Sequence, residues 1–175
     1  MKSKDFWDNI FEKGQSEYYS KIDLPKPDDP ILKKAVGHFG NLKNKTLIDL
    51  GCGNGSSSLY FASLGANVIS IDYSDIAIKN LSEYCIDHDI KNITPIKLSA
   101  QEITSLDKVD FVYGSMILHH IEPFDEFATK LRDVIKKDGK AFFYENNARS
   151  KLMIWFRENI VGKLWVPKYG DEEEF

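Results

Sequence analysis

The chain has little cysteine, little net charge and no long apolar run, and each lack removes a class of protein. Two cysteines, Cys52 and Cys85, in 175 residues make neither a disulfide framework nor a metal-ligand cluster. No His/Asp/Glu spacing resembles a metal site either, so no metal is expected. A net charge of −4 gives no general attraction for phosphate backbones. With no basic stripe visible, a nucleic-acid partner is not expected. No run is apolar enough to span a bilayer, and the opening MKSKDFWDNIFEK is too polar for a secretory signal, so a cytoplasmic setting without membrane attachment is expected. No internal repeat and no linker to a second domain is evident. What remains, 42% hydrophobic and 29% charged residues, is ordinary for a globular domain, and the length is enough for a real core.

The organising stretch is residues 46–72. Leu47, Ile48, Asp49 and Leu50 suit a short buried parallel strand. In Gly51-Cys52-Gly53-Asn54-Gly55 small residues let the backbone turn sharply and approach a ligand, and the small size of Cys52 explains its place there. Three serines follow, and Leu59, Phe61, Ala62 and Leu64 have helical spacing with Gly65 as the stop signal. A second strand, residues 67–71, ends in Asp72. A glycine turn before a helix presents free backbone N–H groups, and an acid at the end of the next strand can hold two ribose hydroxyls, so the unit binds a nucleotide-like ligand. A dinucleotide site uses the same plan, but its fingerprint places the third glycine where Ser56 stands. Asp49 would be a poor neighbour for a pyrophosphate and better tolerates a ligand carrying positive charge.

Residues 48–55 with Asp72 resemble the first motifs of class I S-adenosylmethionine-dependent methyltransferases of the small-molecule type. The resemblance covers about residues 5–147, with its specific motifs within 47–121. It implies that S-adenosyl-L-methionine is the cofactor, with Asp49, Gly51, Cys52 and Gly53 at its methionine end. Asp72 would hold the ribose and Tyr73 would lie against the adenine. Where the family commonly carries an acid after the third strand this chain has Ser99, so contact with the adenine amino group would pass to the backbone of Ala100 or the side chain of Gln101. Ser115 and Met116, ending the fourth strand, would complete the cofactor wall. Leu118-His119-His120-Ile121 resembles a Leu-x-His-apolar run found at this place in many relatives, which favours His120 over His119 as the base that takes a proton from the acceptor. The competing reading is a histidine that only steadies its loop. N-terminal segments in the family often cover the cofactor, which makes Tyr18 and Tyr19 candidate substrate-side residues, with His119 and Asn146.

In chain order, Phe6, Trp7, Ile10 and Phe11 share one helical face, read as packing on the domain. Residues 24–30 form a proline-rich connector. Residues 31–39 are predicted helical, as are 76–84 behind Ser74 as N-cap. Residues 93–98 are a third strand that Pro95 pushes toward an edge. Residues 109–115 form a fourth strand, 122–136 a helix, 137–140 a turn and 141–144 a fifth strand. The carboxyl ends of these strands converge on one face, with the first and fourth flanking the point where strand order reverses.

The expectation is therefore an α/β, Rossmann-like, doubly wound and mostly parallel sheet in a three-layer αβα arrangement, lacking the last two of the family's usual seven strands. Residues 1–45 would be a helical cap and linker, 46–147 the cofactor-binding core, and 148–175 a C-terminal helix with an acidic tail. The expected function is methyl transfer to a hydroxyl or amine of a small molecule. The alternatives are a cofactor-binding module or truncated half that needs a partner, and an NAD(P)-dependent oxidoreductase. A fifth strand left at the edge is a pairing liability that the segment 152–165 or a second copy of the chain would cover.

Overall fold

The computed structural model describes residues 5–8, 22 and 24–145. Tyr18, Tyr19, Asn146, the segment 152–165 and the acidic tail lie outside the described residues. The chain divides into two units, Met1–Tyr144 and Glu145–Phe175, and the sheet, its helices and the site all belong to the first.

Among the described residues the apolar runs become five strands: β1 (Thr46–Leu50), β2 (Asn67–Asp72), β3 (Ile93–Lys97), β4 (Val109–Ser115) and β5 (Ile135–Tyr144). Their order is β3-β2-β1-β4-β5 and every pairing is parallel. Helices α1 (Pro30–Phe39), α2 (Ser56–Ser63), α3 (Asp75–Asp87) and α4 (Phe124–Val134) flank them among the described residues. Short 3-10 turns follow β3 (Ala100–Ser105) and β4 (Leu118–His120).

Alternation along the strands builds the two cores. Leu47 of β1 and Phe111 and Tyr113 of β4 pack with Ala35 and Phe39 of α1, Phe61 of α2 and Leu81 of α3. Ile48 and Leu50 of β1 and Val112 of β4 point the other way, to Ile103, Phe127 and Val134. The sheet is thus the middle of three layers, and its central strands are buried on both faces, as a parallel sheet requires. Rings lock the first core, with Phe39 stacked on Phe111 at 4.8 Å and Phe61 edge-on to Tyr113 at 4.9 Å.

The chain leaves β1, builds outward to β3, and returns on the other side of β1 as β4. That reversal places a crevice at the carboxyl ends of β1 and β4. Pro95 sits in edge strand β3, as expected of a residue with no N–H to donate.

Several expectations change. The helix predicted over 122–136 spans Phe124–Val134, and the last strand begins at Ile135 rather than at 141. Val109 pairs with Ile135 while Phe111 pairs with Lys140, so residues 136–139 bulge out of the ladder and carry the anticipated turn inside the strand. Lys136 anchors this bulge by a 2.9 Å ion pair to Asp110, whose carboxylate also accepts the Thr46 N–H. Asp29, read as part of a connector, N-caps α1 by accepting from the Ile31 and Leu32 N–H groups, with Pro30 opening the helix. Leu64, counted in the apolar pattern of the second helix, is 41% exposed, because α2 has already ended at Ser63.

Candidate functional site

A cavity of about 480 Å³ opens at the reversal point, within the usual range for small-ligand pockets. Leu50, Gly51 and Gly53 reach it from β1, and Ile71, Asp72 and Tyr73 from β2. Leu98 to Gln101 come from beyond β3, and Ser115 to Ile117 with His119 to Glu122 from beyond β4. Four loops that are distant in sequence therefore meet in one place.

The glycine turn is held in an unusual backbone shape. Gly51, Gly53 and Gly55 have φ of 69°, 47° and 78°, which L side chains rarely adopt. A Cβ on Gly51 would stand 2.8 Å from Cδ1 of Ile117, so the absent side chain lets the β1 and β4 loops approach each other. The N–H groups of Gly51 and Cys52 both donate to the Ile71 carbonyl, at 2.8 and 3.0 Å, and fasten the turn to β2.

Asp72 joins two loops. One carboxylate oxygen accepts the Gly53 N–H and the other the Ser74 N–H, both at 2.9 Å. Burial pushes its pKa above the usual carboxylate value, while the Ser74, Gly53 and Tyr73 N–H groups oppose that rise. Each oxygen accepts two hydrogen bonds when ionised, so the carboxylate keeps capacity for a pair of ligand hydroxyls. Tyr73 beside it is 42% exposed at the rim.

Asp49 and Cys52, both expected at the methionine end of the cofactor, do not line this cavity. Strand alternation turns Asp49 to the opposite face, where it is 1% exposed and accepts from Ser57 Oγ at 2.7 Å and Ser58 Oγ at 2.5 Å. Ser70 Oγ in turn donates to Ser58 Oγ at 2.7 Å. Burial drives the Asp49 pKa up to about 6 despite these bonds. Asp49 therefore acts behind the turn, tying β1 to the first turn of α2. Cys52 packs in the core, and burial raises its thiol pKa.

Ala100 and Gln101 line the cavity beyond β3. Ser99, where an acid was the family pattern, caps the 3-10 turn: its Oγ accepts the Gln101 N–H, and its own N–H donates to Glu102. The Gln101 side chain is engaged with α4 and the residue before it, donating to the Pro123 carbonyl at 2.9 Å and accepting from Lys130 at 3.2 Å.

Beyond β4, Ser115 and Met116 are in the wall. Met116 takes φ 56°, a left-handed conformation costly for a side chain of its size, and its N–H donates to the Tyr144 carbonyl. His119 and His120 both line the cavity, with ring centroids 3.9 Å apart. His120 is half-buried and meets the Trp7 ring edge-on at 5.2 Å. Sequence reasoning missed Trp7, Ile117 and Glu122 as wall residues; Trp7 looks in sequence like any core aromatic of an amphipathic face.

A left-handed glycine turn, an acid at the end of the following strand and a cavity at the reversal of a parallel sheet define a Rossmann-like nucleotide-cofactor site. Residues 48–143 match the family described as a methyltransferase domain, and the chain belongs to that family. It is 27% identical over 169 residues to a ubiquinone biosynthesis O-methyltransferase of Rickettsia felis, covering 95% of this chain and 66% of the relative. The corresponding protein of Rickettsia canadensis is 29% identical over 141 residues, covering 79% of this chain and 58% of the relative. The chain thus spans less than two thirds of the length of these relatives. Among solved structures, a SAM-dependent methyltransferase from Aquifex aeolicus superposes with a TM-score of 0.62 at 20% identity, over 93% of this chain and 87% of that one. The PH0226 protein of Pyrococcus horikoshii does so with 0.66 at 24% identity, over 81% and 71%. At these identities the likeness shows the fold. The five parallel strands and their flanking layers are the expected architecture.

Proposed function

We propose that this protein is an S-adenosylmethionine-dependent methyltransferase that methylates a hydroxyl group of a small molecule. The observation that carries the reading is the Asp72 carboxylate, bonded to the Gly53 N–H of the glycine turn and facing the cavity. Gly51 and Gly53 would hold the methionine end of the cofactor, Asp72 the ribose, and Tyr73 and the backbone around Ala100 the adenine. Bound S-adenosylmethionine supplies a methyl group on a positively charged sulfur, which makes the methyl carbon electrophilic. The chain's own residues align the acceptor oxygen with that carbon and exclude water. His120 takes the acceptor's proton, so that an alkoxide or phenoxide never has to exist free in water.

The choice of an oxygen acceptor is supported by the names of the Rickettsia relatives, which are O-methyltransferases. A cytoplasmic setting fits the two free cysteines, both buried. Among the described residues no helix is long and apolar enough to cross a membrane. Incubation with methyl-labelled S-adenosylmethionine and a panel of phenols, catechols and amines tests the reading. Label transferred to hydroxyl-bearing compounds is expected; transfer to amines alone would overturn the choice of acceptor.

A further inference from the structure

Residues 6–8 reach the site without any motif to announce them. Trp7 lines the cavity, edge-on to His120 at 5.2 Å, and Phe6 packs edge-on against Trp7, also at 5.2 Å. The next residue fastens to the opposite side. Asp8 Oδ1 accepts from Ser74 Oγ at 2.6 Å and from the Ile76 N–H at 3.5 Å. Ser74 caps α3 just beyond β2, whereas His120 lies just beyond β4. Since β1 lies between those strands, the single step from Trp7 to Asp8 bridges the two sides of the crevice at the glycine turn.

The bridge comes at an electrostatic cost that helix capping alone does not require. Ser74 Oγ already accepts the Ala77 N–H of α3, so the helix has its cap without Asp8. Asp8 also brings a second carboxylate toward Asp72 and adds to the rise of its pKa. An aspartate kept beside another aspartate, with a tryptophan next to it facing a cavity, is explained by what it holds in place. An indole presents a flat apolar face with negative π density, suited to a planar ring or a cationic group.

We propose that Trp7 is a ligand-contacting wall of the cavity and that Asp8 is the positioning residue that holds it there through Ser74. The identity of the ligand probe rests on the function proposed above. Tryptophan occurs three times in the chain, so Trp155→Phe with Trp165→Phe leaves Trp7 as the sole tryptophan, excited selectively beyond the tyrosine band. In that background S-adenosylhomocysteine should change Trp7 emission saturably, in step with a calorimetric titration. Asp8→Ala should raise acrylamide quenching of Trp7 about twofold or more and weaken S-adenosylhomocysteine binding roughly three- to tenfold. Asp8→Asn keeps an acceptor for Ser74 Oγ and should restore both readouts. Trp7→Ala should lose as much affinity as Asp8→Ala, and the double variant no more than either, because the two residues act as one unit.

Calorimetric binding without a change in Trp7 emission would overturn the wall, and quenching unmoved by Asp8→Ala would overturn the positioning role. If the parent chain binds no S-adenosylhomocysteine, the cofactor reading fails and Trp7's ligand with it. The quenching comparison would still decide the role of Asp8 on its own.

Discussion

Asp49 should make the protein less stable as pH rises from about 4 to about 6. Its carboxyl is 1% exposed and its pKa stands at about 6, against 3.8 for the free group. A folded-state pKa above the unfolded value means that the native state binds the proton more tightly. The resulting stability is fully present below pH 3.8 and is lost as pH rises through about 6. Each pKa unit corresponds to about 1.4 kcal/mol, so the swing is about 3 kcal/mol. Burial also raises the Asp72 pKa, which adds a pH dependence of the same sign. The difference between the parent and Asp49→Asn isolates the one group. Asparagine still accepts from Ser57 and Ser58 but leaves a buried amide to satisfy, a roughly pH-independent cost of about 1–3 kcal/mol. The decisive quantity is the change in the stability difference between pH 4 and pH 7, measured by urea unfolding. Asp49→Asn should gain about 2–3 kcal/mol on the parent over that interval. A difference that stays flat with pH would show that Asp49 titrates normally, and would refute the burial argument.

Asp72→Ala should weaken S-adenosylhomocysteine binding by about 1–3 kcal/mol, through loss of a charge-assisted contact and release of the glycine turn; calorimetry with unchanged affinity would move the site elsewhere. Gly51→Ala should cost about 1–2 kcal/mol in stability from its left-handed backbone. Because its Cβ meets Ile117, it should also reduce cofactor affinity, and thermal denaturation with and without ligand reads both effects. His120→Ala should lower methyl transfer about 100-fold or more while leaving cofactor affinity nearly intact, as expected for loss of a general base. Equal turnover would leave His120 a structural residue.

Much of this architecture was legible because its signals are local. The runs around Leu47 to Leu50 and Phe111 to Tyr113 read as buried strands, and Pro95 marked an edge. Glycines followed by a helix and then an acid placed Gly51, Gly53 and Asp72 in one wall. What stayed hidden depends on side-chain direction or on distant partners. Asp49 sits two residues before the first glycine, yet the two-residue alternation of β1 turns it away from the cavity toward Ser57 and Ser58. Asp29 looked like part of a proline-rich connector, and only the helix start shows it to be a cap. The bulge at residues 136–139 depends on Asp110, too far away in sequence for local pattern to reveal. Trp7 carries no signal that separates a cavity wall from a core residue.

Everything proposed for this crevice requires that it bind S-adenosylmethionine. Calorimetric titration of the purified chain with S-adenosylhomocysteine and, separately, with NADH tests it most directly. Micromolar binding of S-adenosylhomocysteine with none of NADH is the predicted result. Binding of NADH instead, or of neither ligand, would overturn the cofactor assignment.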